Sequence, residues 1–120
     1  MSEHDEQVRL IDWWSFACGN YGVPEYLLFA IPNGGVRSKR CGAMLKAEGM
    51  RSDVPDLFLA IPRGQYGGLF VEMKRADGKG RLSPNQKLFI EHLTRVGYAT
   101  AVCNGFVEAC DVIMAYLNAA

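Results

Sequence analysis

The chain reads as an α/β domain, a mixed β-sheet flanked by helices. Three observations predict that class. Apolar residues recur at helical spacing at both ends of the chain, four short apolar runs lie between, and a tight loop joins two of those runs while helical stretches separate the others. A length of 120 residues, with 49% hydrophobic and 22% charged residues, suits one globular domain spanning 1–120 around a single core.

Residues 3–18 are predicted as the first helix, with Val8, Leu10, Ile11, Trp14 and Cys18 as its apolar stripe. "YLLFAIP" (26–32) reads as a strand stopped by Pro32, and "NGG" (33–35) as a turn. Residues 38–48 suit a short helix stopped by Gly49. "DLFLAIP" (56–62) and "LFVEMK" (69–74) read as two antiparallel strands joined by "RGQYGG" (63–68). A glycine-rich loop (77–83) precedes a helix over 84–96, where Ser83 is placed to cap and Pro84 takes the first helical position. "YATAVC" (98–103) is a fourth strand. Residues 106–118 are a last helix with Val107, Cys110, Ile113, Met114 and Leu117 on one face.

The run 69–74 carries the chemistry. Strand side chains alternate faces, so Leu69, Val71 and Met73 share one face while Phe70, Glu72 and Lys74 share the other. An acid and a base therefore stand side by side at a strand end. An ion pair there is a sufficient structural explanation taken alone. The preceding strand changes the balance. Asp56 opens it after Pro55, and in an antiparallel hairpin the start of one strand lies beside the end of the next. Asp56, Glu72 and Lys74 are thereby expected to converge. Two adjacent carboxylates repel unless a cation lies between them. Mg²⁺ or Mn²⁺ takes such hard oxygen ligands and keeps several waters. A lysine beside it orients or deprotonates an attacking water, or meets negative charge on a phosphate. That combination serves phosphodiester hydrolysis.

Charge and cysteine usage bound the alternatives. Net charge is zero, so no global cationic signal points to nucleic acid. The distribution is uneven: residues 37–51 hold Arg37, Lys39, Arg40, Lys46 and Arg51 against Glu48, and residues 74–87 hold Lys74, Arg75, Lys79, Arg81 and Lys87 against Asp77. Both basic segments flank the acidic centre. The four cysteines form no CxxC pair, and with only His4 and His92 no zinc spacing exists. They read as small buried hydrophobes of a reducing compartment. No membrane-spanning run or targeting peptide is evident.

"IPNGG", "VPDLFL", "FVEMK" and "LSPNQ", in that order, resemble the virus-type replication-repair nuclease (VRR-Nuc) domain of the PD-(D/E)xK nuclease superfamily, and the resemblance spans nearly the whole chain. It implies a PD-(D/E)xK nuclease-like sheet with an αβββαβ core. It implies metal ligation by Asp56, Glu72 and the Met73 carbonyl, with Lys74 as catalytic lysine. A glutamate of the first helix usually completes the acidic site; Glu6, which shares a helix face with Leu10, Trp13 and Ala17, fits best, and Glu3 one turn earlier competes. Gln86 corresponds to the family's glutamine at the start of the helix after the ExK strand, and it also reads as the third residue of a capping box with Ser83. Asp53 stands where many relatives have glycine, either as a third acid for a second metal or as a turn residue.

The expected activity is a Mg²⁺- or Mn²⁺-dependent endodeoxyribonuclease, resembling resolvases of four-way junctions in acting as a homodimer, with no nucleotide cofactor and no membrane partner. Flap nuclease, exonuclease and a non-catalytic DNA-binding module are the alternatives. Asn33 and Gly34 would offer N–H groups to a DNA backbone, and Arg37, Lys39, Arg40, Lys79 and Arg81 would add charge. Such domains occur in phages and bacteria, which implies a cytoplasmic setting.

Overall fold

The computed structural model describes residues 1–32 and 39–119, with the side chain of Lys39 outside the description. Ser2 starts the first helix, α1 (Glu3–Ala17): its hydroxyl accepts the Asp5 N–H, and the Asp5 carboxylate accepts back from Ser2. Strand β1 is Leu28–Ala30, helix α2 is Lys39–Ala47, and the hairpin strands are β2 (Leu57–Leu59) and β3 (Leu69–Lys74). Then follow α3 (Pro84–Arg95), β4 (Ala99–Asn104) and α4 (Phe106–Asn118).

The four strands lie in the order β1-β2-β3-β4. The first three are antiparallel to their neighbours, while β4 runs parallel to β3 after the crossover through α3. The sheet is therefore mixed, as expected, with helices on both faces. Its inner face is aliphatic and dry. Leu57, Leu59, Val71 and Met73 are at most 1% exposed, packed with Leu10 and Trp14 of α1 and with Ala109 and Ile113 of α4. Its outer face carries an aromatic run, Phe29–Phe58–Phe70–Tyr98, with the Phe58 and Phe70 rings 4.3 Å apart. Helix α3 lies over that face, where Thr94 meets Thr100 at 3.1 Å, and it leaves Val102 40% exposed.

Several elements differ from their sequence expectation. The strand foreseen over 26–32 is confined to Leu28–Ala30, because Glu25–Leu27 coil into one 3-10 turn held by the indole N–H of Trp14 on the Glu25 carbonyl. The strand foreseen over 56–62 is likewise short, Leu57–Leu59, although Asp56 and Ala60 still exchange backbone bonds with the chain beside β1. Val8 and Val107 were expected on buried stripes and are 46% and 66% exposed. The stripe of α1 turns instead through Glu6, Leu10, Trp14 and Ala17, and that of α4 through Ala109, Cys110, Ile113, Tyr116 and Leu117.

All four cysteines are reduced, three of them buried. Burial pushes the thiol of Cys103 up to about 12 and that of Cys110 up to about 11, so both are neutral packing groups. Among the described residues no helix is long and apolar enough to cross a membrane.

One end of the sheet gathers several element ends. Parallel pairing brings the ends of β3 and β4 together, the hairpin brings the start of β2 beside them, and the helices α3 and α4 begin there.

Candidate active site

The strand register fixes the site. Leu57 pairs with Val71, so Asp56 stands opposite Glu72. One oxygen of Asp56 accepts the Met73 N–H at 2.7 Å, which ties the start of one hairpin strand to the end of the other. Glu72 and Lys74 project to the outer face as the period of two requires, and both are buried, at 4% and 8% exposure.

Two donors converge on the same oxygen of Glu72. The Lys74 ammonium is 3.4 Å from Oε2, and the Gln86 amide donates to it at 3.2 Å. Gln86 also fills its capping role: its Oε1 accepts the Ser83 N–H, and its own N–H bonds to the Ser83 hydroxyl. The cap fixes the amide, and the fixed amide reaches Glu72. Burial first, and the Asp56 carboxylate second, push the Glu72 carboxyl up to about 7, against the pull of Lys74.

The loop after β3 closes over the lysine. A Cβ at Gly80 would stand 3.1–3.2 Å from the Lys74 side chain, so glycine permits the close approach. Arg81 braces this loop, with Nη1 on the carbonyls of Gly78 and Gly80. Lys79 and Arg40 are exposed. Asn33, Gly34 and Arg37 lie outside the described residues, as does the Lys39 side chain.

The first helix divides its two acids. Glu6 is 6% exposed, and its Oε2 accepts the N–H of Phe106 at the start of α4. That helix has Gly105 at its N-cap and no capping side chain of its own, so Glu6 supplies the missing acceptor. Gly105 adopts φ 93° and lies against Ala76, where a Cβ would come within 2.7 Å of another. Glu3 takes the other direction: it lines a cavity together with Asp56, and its charge contributes to raising Glu72. The inward face that favoured Glu6 in the sequence is real, but it points Glu6 to a backbone amide. Asp53 is half-buried beside Ser52, its Oδ2 3.5 Å from that hydroxyl.

The donor set suits a hard divalent cation. Two carboxylates face each other across adjacent strands, and burial together with the charge of Asp56 raises the carboxyl of Glu72 to about 7, a repulsion that a bound cation relieves. Among the described residues no three His, Cys, Asp or Glu side chains are close enough to cage a metal by themselves. Mg²⁺ asks for no such cage, because it retains waters and binds with one or two carboxylates.

Two comparisons with known proteins identify the family. A family model for the VRR-NUC domain matches residues 1–107. A solved structure described as a VRR_NUC domain protein superposes with a TM-score of 0.79 at 30% identity, covering 97% of this chain and 88% of that one. No curated protein matches. With the family model spanning most of its length and the same fold in a solved relative, the chain belongs to the VRR-NUC domain family, whose fold is of the nuclease type.

Proposed function

We propose that this protein is an endodeoxyribonuclease that depends on Mg²⁺ or Mn²⁺. The observation that carries the reading is the convergence of Lys74 and Gln86 on one oxygen of buried Glu72, directly across the register from Asp56. Asp56, Glu72 and the Met73 carbonyl would hold the cation. A bound divalent cation supplies Lewis-acid polarisation of the phosphate and neutralises charge on it.

The chain's own groups do the rest. Hydrolysis joins a water oxygen to phosphorus and breaks one bridging P–O bond. Lys74, anchored at its stem by the Gly80 loop, presents its ammonium where negative charge grows on the phosphate and where the attacking water is oriented. Gln86 keeps Glu72 in its rotamer through a bond fixed by the helix cap. Glu3 adds the first-helix carboxylate beside Asp56, while Glu6 holds α1 to α4. Arg40 and Lys79, with Asn33, Gly34, Arg37, Lys39 and Arg81, supply contacts to the DNA backbone.

A homodimer acting on four-way junctions is the finer form of this reading. Phe16 is 85% exposed and lies with half-buried Trp13 on one side of α1, apolar surface that a second copy would cover. Two-fold symmetry would then set two identical sites on symmetric strands. Cleavage of labelled linear, flap and four-way DNA, with Mg²⁺ and with EDTA, tests the activity and its preference. Metal-dependent cutting within the strand is expected, and its absence on all three substrates refutes the reading. Sedimentation at micromolar concentration decides the dimer.

A further inference from the structure

Beside Asp56, along the flank of α1, lies a cavity of about 630 Å³ lined by Glu3, Gln7, Val8, Ile11 and Asp12 among others. The catalytic reading uses neither Gln7, Val8 nor Ile11. The volume falls in the range of small-ligand sites, roughly 300–1,000 Å³. We infer that this cavity is a nucleoside subsite: it takes up an unpaired base from the strand whose phosphate lies at Asp56 and Glu72, and Tyr26 stacks the base that follows. The inference rests on the nuclease reading.

The lining fits a base better than a backbone. Val8 and Ile11 offer apolar surface to the face of a ring. Gln7 is half-buried and presents an amide donor and acceptor, the pattern that matches a base edge. Glu3 and Asp12 line the recess with negative charge that no Lys or Arg of the lining offsets, so the phosphate stays at the Asp56 edge, where the proposed cation would meet it, while the base points in. The same carboxylates accept hydrogen bonds from exocyclic amino groups. A base already paired in a duplex cannot enter, because its edge is occupied and its faces are stacked.

The path continues past the cavity. Ile11 also lines the next depression along the helix, together with Trp14, Glu25, Tyr26 and Leu28. Tyr26 is 77% exposed there. An exposed aromatic residue next to a recess that admits a base is the arrangement by which proteins stack successive unpaired bases without reading sequence.

Three substitutions test this, none at Asp56, Glu72 or Lys74: Val8→Trp to fill the cavity, Gln7→Ala to remove the edge contact, and Tyr26→Ala to remove the platform. Each is made in the Lys74→Ala protein with Mg²⁺, and binding of a fluorescently labelled single-stranded oligodeoxynucleotide is followed by anisotropy. Val8→Trp and Tyr26→Ala should each weaken single-strand binding roughly tenfold, with Gln7→Ala weaker in effect. Duplex binding and melting temperature should stay at the parent values. A 2-aminopurine base in the strand should change its emission with the parent and not with Val8→Trp. Parent-like single-strand affinity in both Val8→Trp and Tyr26→Ala, or equal losses on duplex and single strand, overturns the subsite. Metal-dependent cleavage by the unmodified protein is a separate readout, so loss of the subsite leaves the nuclease reading standing.

Discussion

The two faces of the sheet divide the work. The inner face is aliphatic, sealed by α1 and α4, with Leu57, Leu59, Val71 and Ile113 fully buried. The outer face alternates with it residue by residue, yet it carries aromatic rings, then Glu72 and Lys74, under a helix with no fully buried residue. Because strand side chains alternate, β3 serves both: Val71 and Met73 hold the core while Glu72 and Lys74 carry the proposed chemistry. The lesson is that a site can be altered on one face without loosening the other, provided that its own hydrogen bonds are respected.

The largest effect that would test this division is catalytic. Asp56→Asn, Glu72→Gln and Lys74→Ala should each slow cleavage by roughly 10²-fold or more, with DNA binding and circular dichroism retained. Wild-type rates in any of them would reduce the outer-face pair to a structural one. Substitution on the inner face should do the opposite: Ile113→Ala is expected to lose about 2–5 kcal/mol in denaturant unfolding, against about 0.5 kcal/mol or less for Leu88→Ala on exposed α3 surface.

The two acids of α1 sharpen the contrast at smaller scale. Glu6→Ala should cost about 1–2 kcal/mol, since the Phe106 amide loses its acceptor, and Glu6→Gln should recover most of it. Glu3→Gln should leave stability unchanged and reduce the rise in melting temperature on adding Mg²⁺. Equal behaviour of the two would contradict their separation.

The smallest effect is in pH. Burial and Asp56 raise the folded-state carboxyl of Glu72 from 4.5 to about 7, so the folded protein holds a proton that the unfolded chain releases. The stability that this proton contributes is fully present below 4.5 and is lost as pH rises through about 7. Metal-free protein should therefore melt lower at pH 8 than at pH 5.5 from this group. The Mg²⁺-induced rise should run the other way, larger at pH 8, because the ion needs the deprotonated pair. Glu72→Gln should flatten both trends, and unchanged trends in that variant would place the titrating group elsewhere.

The mixed sheet, the hairpin and the pairing of Asp56 with Glu72 were legible in the sequence because period and turn chemistry are local signals. The capping box of Gln86 was legible because it is a spacing of three, and its place in the first turn aims the amide inward, where it meets Glu72. The partners of α1 were not. Helix-face reasoning placed Glu6 inward, but which inward group it meets depends on where α4 begins, a hundred residues later in the chain. The cavity beside Asp56 was hidden for a related reason: Val8 and Ile11 looked like core, and only the tertiary arrangement leaves them lining a recess. The short β1 was obscured because Tyr26 and Leu27 have strand-like composition, while the Trp14 bond to Glu25 favours a tight coil.

The loop that joins β2 to β3 has a practical consequence. Arg63 and Tyr66 exchange backbone bonds to close it around Gly64 and Gln65, at the end of the sheet opposite the acidic residues. It is thus a natural attachment point. A fluorophore, a surface tether or a fused domain at Gln65 would leave the mouth of the site facing solution, and the antiparallel strands would carry any mechanical load as shear along their length rather than by unzipping from the chemistry.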